Sequence, residues 1–212
     1  MGTILDLHVH SAFSLDSPVE PEKYLEHLLT LQKTYRIHGL AFCEHRSCRT
    51  DFDYRALAQK YHAVVLVGVE AETRWGHILV FCPDLAWYCK QDLRSKLDPL
   101  QLAAEVESHG GILIPSHPFR GMISLRENVR NLPHLHALET LNGSNMPEEN
   151  LMARTLAEEL NLAQVGGSDA HFINELGRSL TEFEAEVGSV EEMIFEVKAR
   201  RVRPLWLDDA KI

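Results

Sequence analysis

The chain has 212 residues, 45% of them hydrophobic and 25% charged, and 21 Lys and Arg against 31 Asp and Glu leave a formal charge of −10. That balance argues against broad electrostatic binding to nucleic acid or anionic lipid. No apolar run approaches the roughly 18 residues of a membrane span, and Met1–Leu7 is not expected to serve as a secretory signal. The 12 histidines match the 12 glycines in number, an excess that needs a reason.

In chain order, residues 3–7 are predicted as a strand and 21–35 as a helix, with Pro21 near its start, Glu22 in its first turn and an apolar stripe of Tyr24, Leu25, Leu28, Leu29 and Leu31. A strand at 39–43, a helix at 51–62 and strands at 64–69 and 78–81 follow. A helix at 99–109, stopped by Gly110-Gly111, leads to a strand at 112–115. Next come a strand at 137–141, a helix at 147–160 and a strand at 162–165. A helix at 189–201, opened by a capping box of Ser189 and Glu192, leads to a last strand at 202–206. The strands are apolar along their whole length, which suits strands covered on both faces.

This alternation predicts parallel βα units in a single domain spanning 1–212, as a (β/α) barrel of seven or eight units or, as runner-up, a doubly wound open sheet. The distribution of ionisable residues favours the barrel. Asp6, His8 and His10 close the first strand, Glu44-His45 the second and Glu70 the third; Ser116-His117, Glu139 and Ser168-Asp169-Ala170-His171 follow later ones. In a barrel the C-terminal strand ends converge on one face, where active sites are built. His77 precedes its strand, and a hairpin over 71–78 is expected to carry it to the same rim. The four cysteines, Cys43, Cys48, Cys82 and Cys89, form no C-x-x-C pair and read as thiols of a reducing cytosol, so a cytoplasmic protein is expected.

His8-x-His10 is the strongest local signal, because residues i and i+2 of an extended chain point the same way and two imidazoles can grip one ion. Zn²⁺, Mn²⁺ and Fe²⁺ accept imidazole together with carboxylate, and nearly every predicted strand end supplies one or both. The ordered segments Asp6-Leu7-His8-Val9-His10-Ser11, Phe42-Cys43-Glu44-His45, Gly68-Val69-Glu70, Gly76-His77-Ile78-Leu79, Ser116-His117-Pro118-Phe119-Arg120 and Gly167-Ser168-Asp169-Ala170-His171 resemble the motifs of the PHP (polymerase and histidinol phosphatase) superfamily. The resemblance runs from Asp6 to at least Arg178. It implies a distorted (β/α)₇ barrel that binds two to three divalent ions, of Zn, Mn or Fe, and hydrolyses phosphoesters. By the same resemblance His8, His10, Glu70 and Asp169 would hold one ion, and Glu70 would bridge to a second held by His77 and His117. Asp16, His45 and His171 would hold a third, and Glu70, Asp169 and His171 would also be catalytic. Glu44 departs from the family's usual Asp and is left out of the ligand set. The 40-residue spacing from His77 to His117 leaves no room for the extra domain of some nucleotide-processing relatives.

The chemistry of these residue types agrees. Two metals roughly 3.5–4 Å apart can clamp the attacking and leaving oxygens of phosphoryl transfer and supply hydroxide at neutral pH. Substrate phosphate needs a cationic fork, for which Arg120, Arg178 and Arg46 are best placed, with surface arginines as the plainer reading of each. Trp75 is expected to close the barrel and Glu139 to support the ligands from behind. The other histidines, His27, His38, His62, His109, His134 and His136, carry no ligand signal. The expected function is metal-dependent hydrolysis of a small phosphomonoester of nucleotide or sugar phosphate type by a metal-activated hydroxide. A histidinol-phosphate phosphatase, a nucleic-acid phosphodiesterase or exonuclease, and an amidohydrolase are the alternatives. The −10 charge speaks against a nucleic-acid polymer, and no membrane partner is expected. Against the amidohydrolase stands Glu70, which occupies the bridging place that such enzymes give to a lysine.

Overall fold

A computed structural model describes residues 2–212. Its elements in order are β1 (Ile4–Val9), α1 (Pro21–Leu31), β2 (Gly39–His45), α2 (Tyr54–Tyr61), β3 (Val64–Glu72), β4 (His77–Phe81), α3 (Leu85–Cys89), α4 (Pro99–Ser108), β5 (Ile112–Pro115), β6 (Ala137–Asn142), α5 (Pro147–Glu159), β7 (Ala163–Gly167), β8 (Ser179–Phe183), α6 (Val190–Lys198) and β9 (Val202–Trp206). The helix starts follow local chemistry. Pro21, Pro99 and Pro147 each occupy a first-turn position, where the missing N–H costs nothing. Asp98 accepts from Leu100 N and Gln101 N ahead of α4. At α6 the Ser189 hydroxyl accepts from Glu192 N at 3.2 Å, while the Glu192 carboxylate reaches Gly188 N at 2.7 Å, one residue before the cap itself. α1 stops at Leu31, short of the predicted 35, because Gln32 turns back to donate to Ile37 O and Tyr35 bridges to Lys211.

Seven strands form one sheet in the order β5-β4-β3-β2-β1-β8-β9, and β6 and β7 pair separately. Only β1–β2, β2–β3 and β6–β7 are parallel; the β3–β4, β4–β5, β1–β8 and β8–β9 pairs are antiparallel. The all-parallel expectation therefore gives way to a mixed sheet. Between Glu72 and His77 the chain has room for a tight turn but not for the dozen or more residues that a parallel crossover needs. The sheet curls into a distorted barrel with the β6–β7 pair in its gap. One edge of that pair meets β1, where Asp169 N donates to His8 O at 2.7 Å and Val9 bridges Ala170 in parallel. Gly167 makes this approach possible, since a Cβ there would lie 2.4 Å from that of His8.

Two elements were not predicted. α3 is a short turn of helix that buries Trp87 and Tyr88. β8 hides its strand character because Ser179 and Thr181 are buried, their hydroxyls spent on the carbonyls of Leu141, Gly167 and Gly166 at 2.6–3.0 Å. The strands contribute a cluster that includes Leu5, Leu7, Leu66, Phe81, Ile114 and Val165, sealed at one end by Met193 and Val197 of α6. α1 and α2 pack Tyr24, Leu28, Leu57 and Tyr61 against the outer face. Among the described residues no helix is long and apolar enough to cross a membrane.

Candidate metal centre

The rim formed by the strand ends gathers the histidines of the motifs around one carboxylate. Glu70, on β3 and 1% exposed, has Oε2 3.5 Å from Nε2 of His8, 3.5 Å from Nε2 of His10 and 3.3 Å from Nε2 of His45. Its Oε1 lies 2.8 Å from His117 Nε2 and 3.4 Å from His77 Nδ1, and accepts from the Ser116 hydroxyl at 2.6 Å. The expected hairpin does bring His77 to this rim, in register with Glu72. Asp169 Oδ1 faces His8 and His10 at 3.4 and 3.2 Å. Asp16 lies at the mouth, its Oδ2 3.5 Å from His45 Nε2 and 3.4 Å from His171 Nε2. The His10 ring stacks between those of His45 and His171, at 4.4 and 4.3 Å.

Three groupings bring potential ligand atoms within 4.8 Å of one another: His8, His10, Glu70 and Asp169; His45, Glu70 and His77; and His10, His45 and His171. The first coincides with the set implied by the motifs. His117 contacts Glu70 but belongs to none of the three, whereas His45 stands close to both Glu70 and Asp16. Among the described residues, none of the six histidines outside the motifs enters such a grouping.

The donor chemistry fits divalent cations. His8 Nε2 and His10 Nε2 are 3.0 Å apart. With His8 Nδ1 engaged by Glu139 at 2.9 Å, neutral imidazole directs its Nε2 lone pair at that of His10. Two facing lone pairs repel unless a proton or a metal ion sits between them. Burial alone would lower the basicity of His8, yet Asp169, Glu139 and Glu70 raise its pKa well above the usual imidazole range. Burial likewise works against ionised Glu70 and Asp169, but the surrounding histidines hold both well below the usual carboxylate range. His10, dominated by burial, is lowered to about 4. The cluster thus demands positive charge at its centre. His77 Nδ1, the ring nitrogen aimed at Glu70, is buried and makes no hydrogen bond, so it is free to meet an ion.

A surrounding frame aims these ligands. Buried Glu139, on β6, accepts from His8 Nδ1 at 2.9 Å, from the backbone N of His117 at 2.6 Å and from Asn142 Nδ2 at 2.9 Å, tying three strands together. Asp6 accepts backbone N–H groups of Ser168, Gly177 and His8 at 2.8–3.2 Å; burial raises its pKa to about 6 against those hydrogen bonds. Glu44 turns away from the cluster to bind Ser11, at 2.6 Å from its hydroxyl and 3.0 Å from its N–H. Ser14, which sequence reasoning missed, accepts from His45 N at 2.8 Å through its hydroxyl. His117, Asp169 and Arg46 all adopt left-handed backbone, with φ of 30°, 57° and 55°. Non-glycine residues held so are uncommon and mark positions that the surroundings over-determine.

The three arginines separate. Arg120 is mostly buried; it pairs with Asp169 Oδ2 and approaches Asn142 Oδ1 at 3.5 Å, so it lies against the cluster. Arg46 sits at the rim in a two-pronged pair with Glu72, at 2.5 and 2.9 Å. Arg178 is exposed, and its one ion pair among the described residues is with Glu175 at 3.4 Å. Trp75 is half-buried on the β3–β4 turn, packed against the core cluster around β4.

Residues 147–202 match a family model described as PHP-associated. An uncharacterized protein of Methanocaldococcus jannaschii is 26% identical over 187 residues, which cover 84% of this chain and 70% of that protein. PsfC from Pseudomonas syringae superimposes with a TM-score of 0.75 at 20% identity, over 99% of this chain and 93% of its own. A two-domain protein from Bacteroides vulgatus, containing a predicted PHP-like metal-dependent phosphoesterase, gives 0.69 at 21% identity, over 98% of this chain and 66% of its own. The fold also resembles the lesion-specific endonuclease Q of Pyrococcus furiosus (0.71, 17% identity, 94% of this chain and 56% of that one) and an amidohydrolase from Chromobacterium violaceum (0.66, 16% identity, 97% and 99%). Fold and site together define a distorted α/β barrel with a carboxylate-centred histidine cluster at its strand ends. In fold and in the match over residues 147–202 the chain is similar to PHP-like proteins.

Proposed function

We propose that this chain is a metal-dependent phosphatase that hydrolyses small phosphomonoesters, acting in the cytoplasm as one domain over its 212 residues. The observation that carries the reading is the single buried carboxylate of Glu70, which faces five imidazoles across 2.8–3.5 Å. Such a donor set suits a bridging ligand between ions. His8, His10, Glu70 and Asp169 would hold one ion, Glu70 with His77 and His117 a second, and Asp16, His45 and His171 a third. Zn²⁺, Mn²⁺ or Fe²⁺ bound there supplies charge neutralisation to a phosphoryl group and acidity to a water.

The chain's own groups do the rest. Glu139 keeps the His8 proton on Nδ1, leaving Nε2 free to point into the site. Arg120 turns part of its guanidinium to Asp169 Oδ2, so that Oδ1 alone faces the histidines, and its remaining N–H groups are available to a phosphoryl oxygen. His171 Nδ1 lies 3.0 Å from the backbone oxygen of Asp169, and that hydrogen bond turns Nε2 toward Asp16 and the mouth, where a leaving group exits.

The test is elemental analysis of the purified protein, followed by assay of phosphomonoesters, phosphodiesters and amides with added Mn²⁺, Fe²⁺ or Zn²⁺. Phosphate release from monoesters is expected. Cleavage of amides or of diesters alone, with no monoester hydrolysed, overturns the reading.

A further inference from the structure

Two contiguous clefts open from the cluster toward the β3–β4 turn, of about 300 and 320 Å³, and share Arg46, Glu72 and His77 in their walls. The inner cleft touches Asp16 and His45 of the metal centre. The outer one is lined by three cations, Arg46, Arg74 and Lys96, and by one carboxylate, Glu72. That local excess of positive charge stands out in a chain of formal charge −10. Arg46 is neutralised by Glu72, and Arg74 by Asp98 behind the wall. Lys96 makes no ion pair among the described residues.

The cleft is built rather than incidental. The Thr73 hydroxyl bonds Gly76 O at 2.6 Å, Arg74 N donates to Leu97 O at 3.1 Å, and Leu97 N returns to Glu72 O at 2.9 Å. His77 N donates to Ile123 O at 2.9 Å, joining the turn to the opposite wall. Glu72 lies two residues beyond Glu70 on β3, so both side chains leave the same face of the strand, one toward the histidines and one over the cleft. Together the two clefts run from Asp16 and His45 past the Glu72–Arg46 pair to Lys96.

We infer that this outer cleft is a specificity subsite for a second anionic group on the leaving-group side, so that the substrate is a small phosphomonoester carrying another phosphate or carboxylate, with Lys96 as its unneutralised anchor. Arg46 keeps free N–H groups beyond the two that Glu72 uses, and Glu72 keeps lone pairs, so the pair can also bind hydroxyls on the body between the two anions. The inference rests on the phosphatase reading and sharpens its substrate class.

The test uses matched sugar phosphates that differ by one phosphate, glucose 1,6-bisphosphate against glucose 6-phosphate and fructose 1,6-bisphosphate against fructose 6-phosphate, with 2,3-bisphosphoglycerate against 3-phosphoglycerate as a shorter pair. Phosphate release is followed by kcat/KM for wild type, Lys96→Ala and Lys96→Glu, each checked for unchanged metal content and melting temperature. The doubly anionic member of at least one pair is expected to be preferred about tenfold, the scale of one charge-assisted hydrogen bond. Lys96→Glu is expected to remove that preference, acting chiefly on KM. Equal use of both members in every pair, or a preference that survives Lys96→Glu, overturns the subsite while leaving a phosphatase. Release of phosphate from no ester at all overturns the phosphatase reading itself.

Discussion

Glu139→Gln tests whether the frame behind the ligands sets metal affinity. The carboxylate receives three donors: His8 Nδ1–H on Oε1, and His117 N–H with Asn142 Nδ2–H on Oε2. A carboxamide has one acceptor oxygen, so its NH₂ must meet a donor at one of the two places. The Oε2 place is held by a backbone N–H that cannot change, which leaves the NH₂ facing His8. That ring then accepts at Nδ1, and its proton moves to Nε2, the atom 3.0 Å from His10 Nε2. A protonated Nε2 cannot ligate, so metal affinity is expected to fall 10–100-fold, the usual scale for groups that orient ligands. The stability cost is smaller, about 1–2 kcal/mol for one disturbed buried hydrogen bond, or roughly 2–8 °C in melting temperature for a chain of this size. Glu139→Ala strands all three donors and is expected to cost about 3–6 kcal/mol. Calorimetric titration of the dialysed proteins with Zn²⁺ or Mn²⁺, alongside thermal unfolding, separates the two effects. A Glu139→Gln protein that binds metal within twofold of wild type would show that His8 does not depend on Glu139 for its tautomer, and the reasoning would fail.

Other consequences follow from the same geometry. Glu70→Gln is expected to abolish stoichiometric metal binding and phosphate release together, and wild-type metal content after dialysis would exclude Glu70 as a shared ligand. Removing metal with a chelator is expected to lower the melting temperature by roughly 5–10 °C relative to protein held at a hundred times its dissociation constant, since that excess is worth about 2.7 kcal/mol; an unchanged melting curve would mean no ion binds the folded state. Gly76→Ala places a side chain at a φ of 140° with its Cβ 2.5 Å from the Ser124 backbone carbon. It is expected to cost about 2–4 kcal/mol in denaturant unfolding and to displace His77, and a stability change under about 0.5 kcal/mol would contradict that packing.

Most strands and helices were legible in the sequence because each carries a local signature. Ile112–Pro115 and Pro147–Glu159 lie where an apolar run or a proline-started amphipathic stretch put them, with ends moved by a residue at most. β8 escaped because Ser179 and Thr181 read as exposed polar positions, whereas long-range hydrogen bonds to Leu141, Gly167 and Gly166 let them be buried. Strand direction escaped for a related reason. Apolar patterning reports burial but not which way a neighbour runs, so β4 and β8 emerged antiparallel only once the connections were in place. At the site, His8, His10, Glu70 and Asp169 could be grouped from ordered motifs before any coordinates. The partition of the remaining histidines could not, since the rings of His45 and His117 both lie beside His77, at 5.2 and 5.5 Å, and only the closed barrel decides which brings a ligand atom into its group.

The sequence by itself determined the chemistry available: which side chains are present, that they follow strands, and hence that imidazoles and carboxylates share one rim. That much is local, because i to i+2 spacing and helix starts need only neighbouring residues. The tertiary structure alone decided what each group does there. It sent Glu44 to Ser11 and Arg46 to Glu72, seated Arg120 on Asp169, and set Glu139 behind His8, since partners up to 131 residues apart in sequence meet only when the barrel closes.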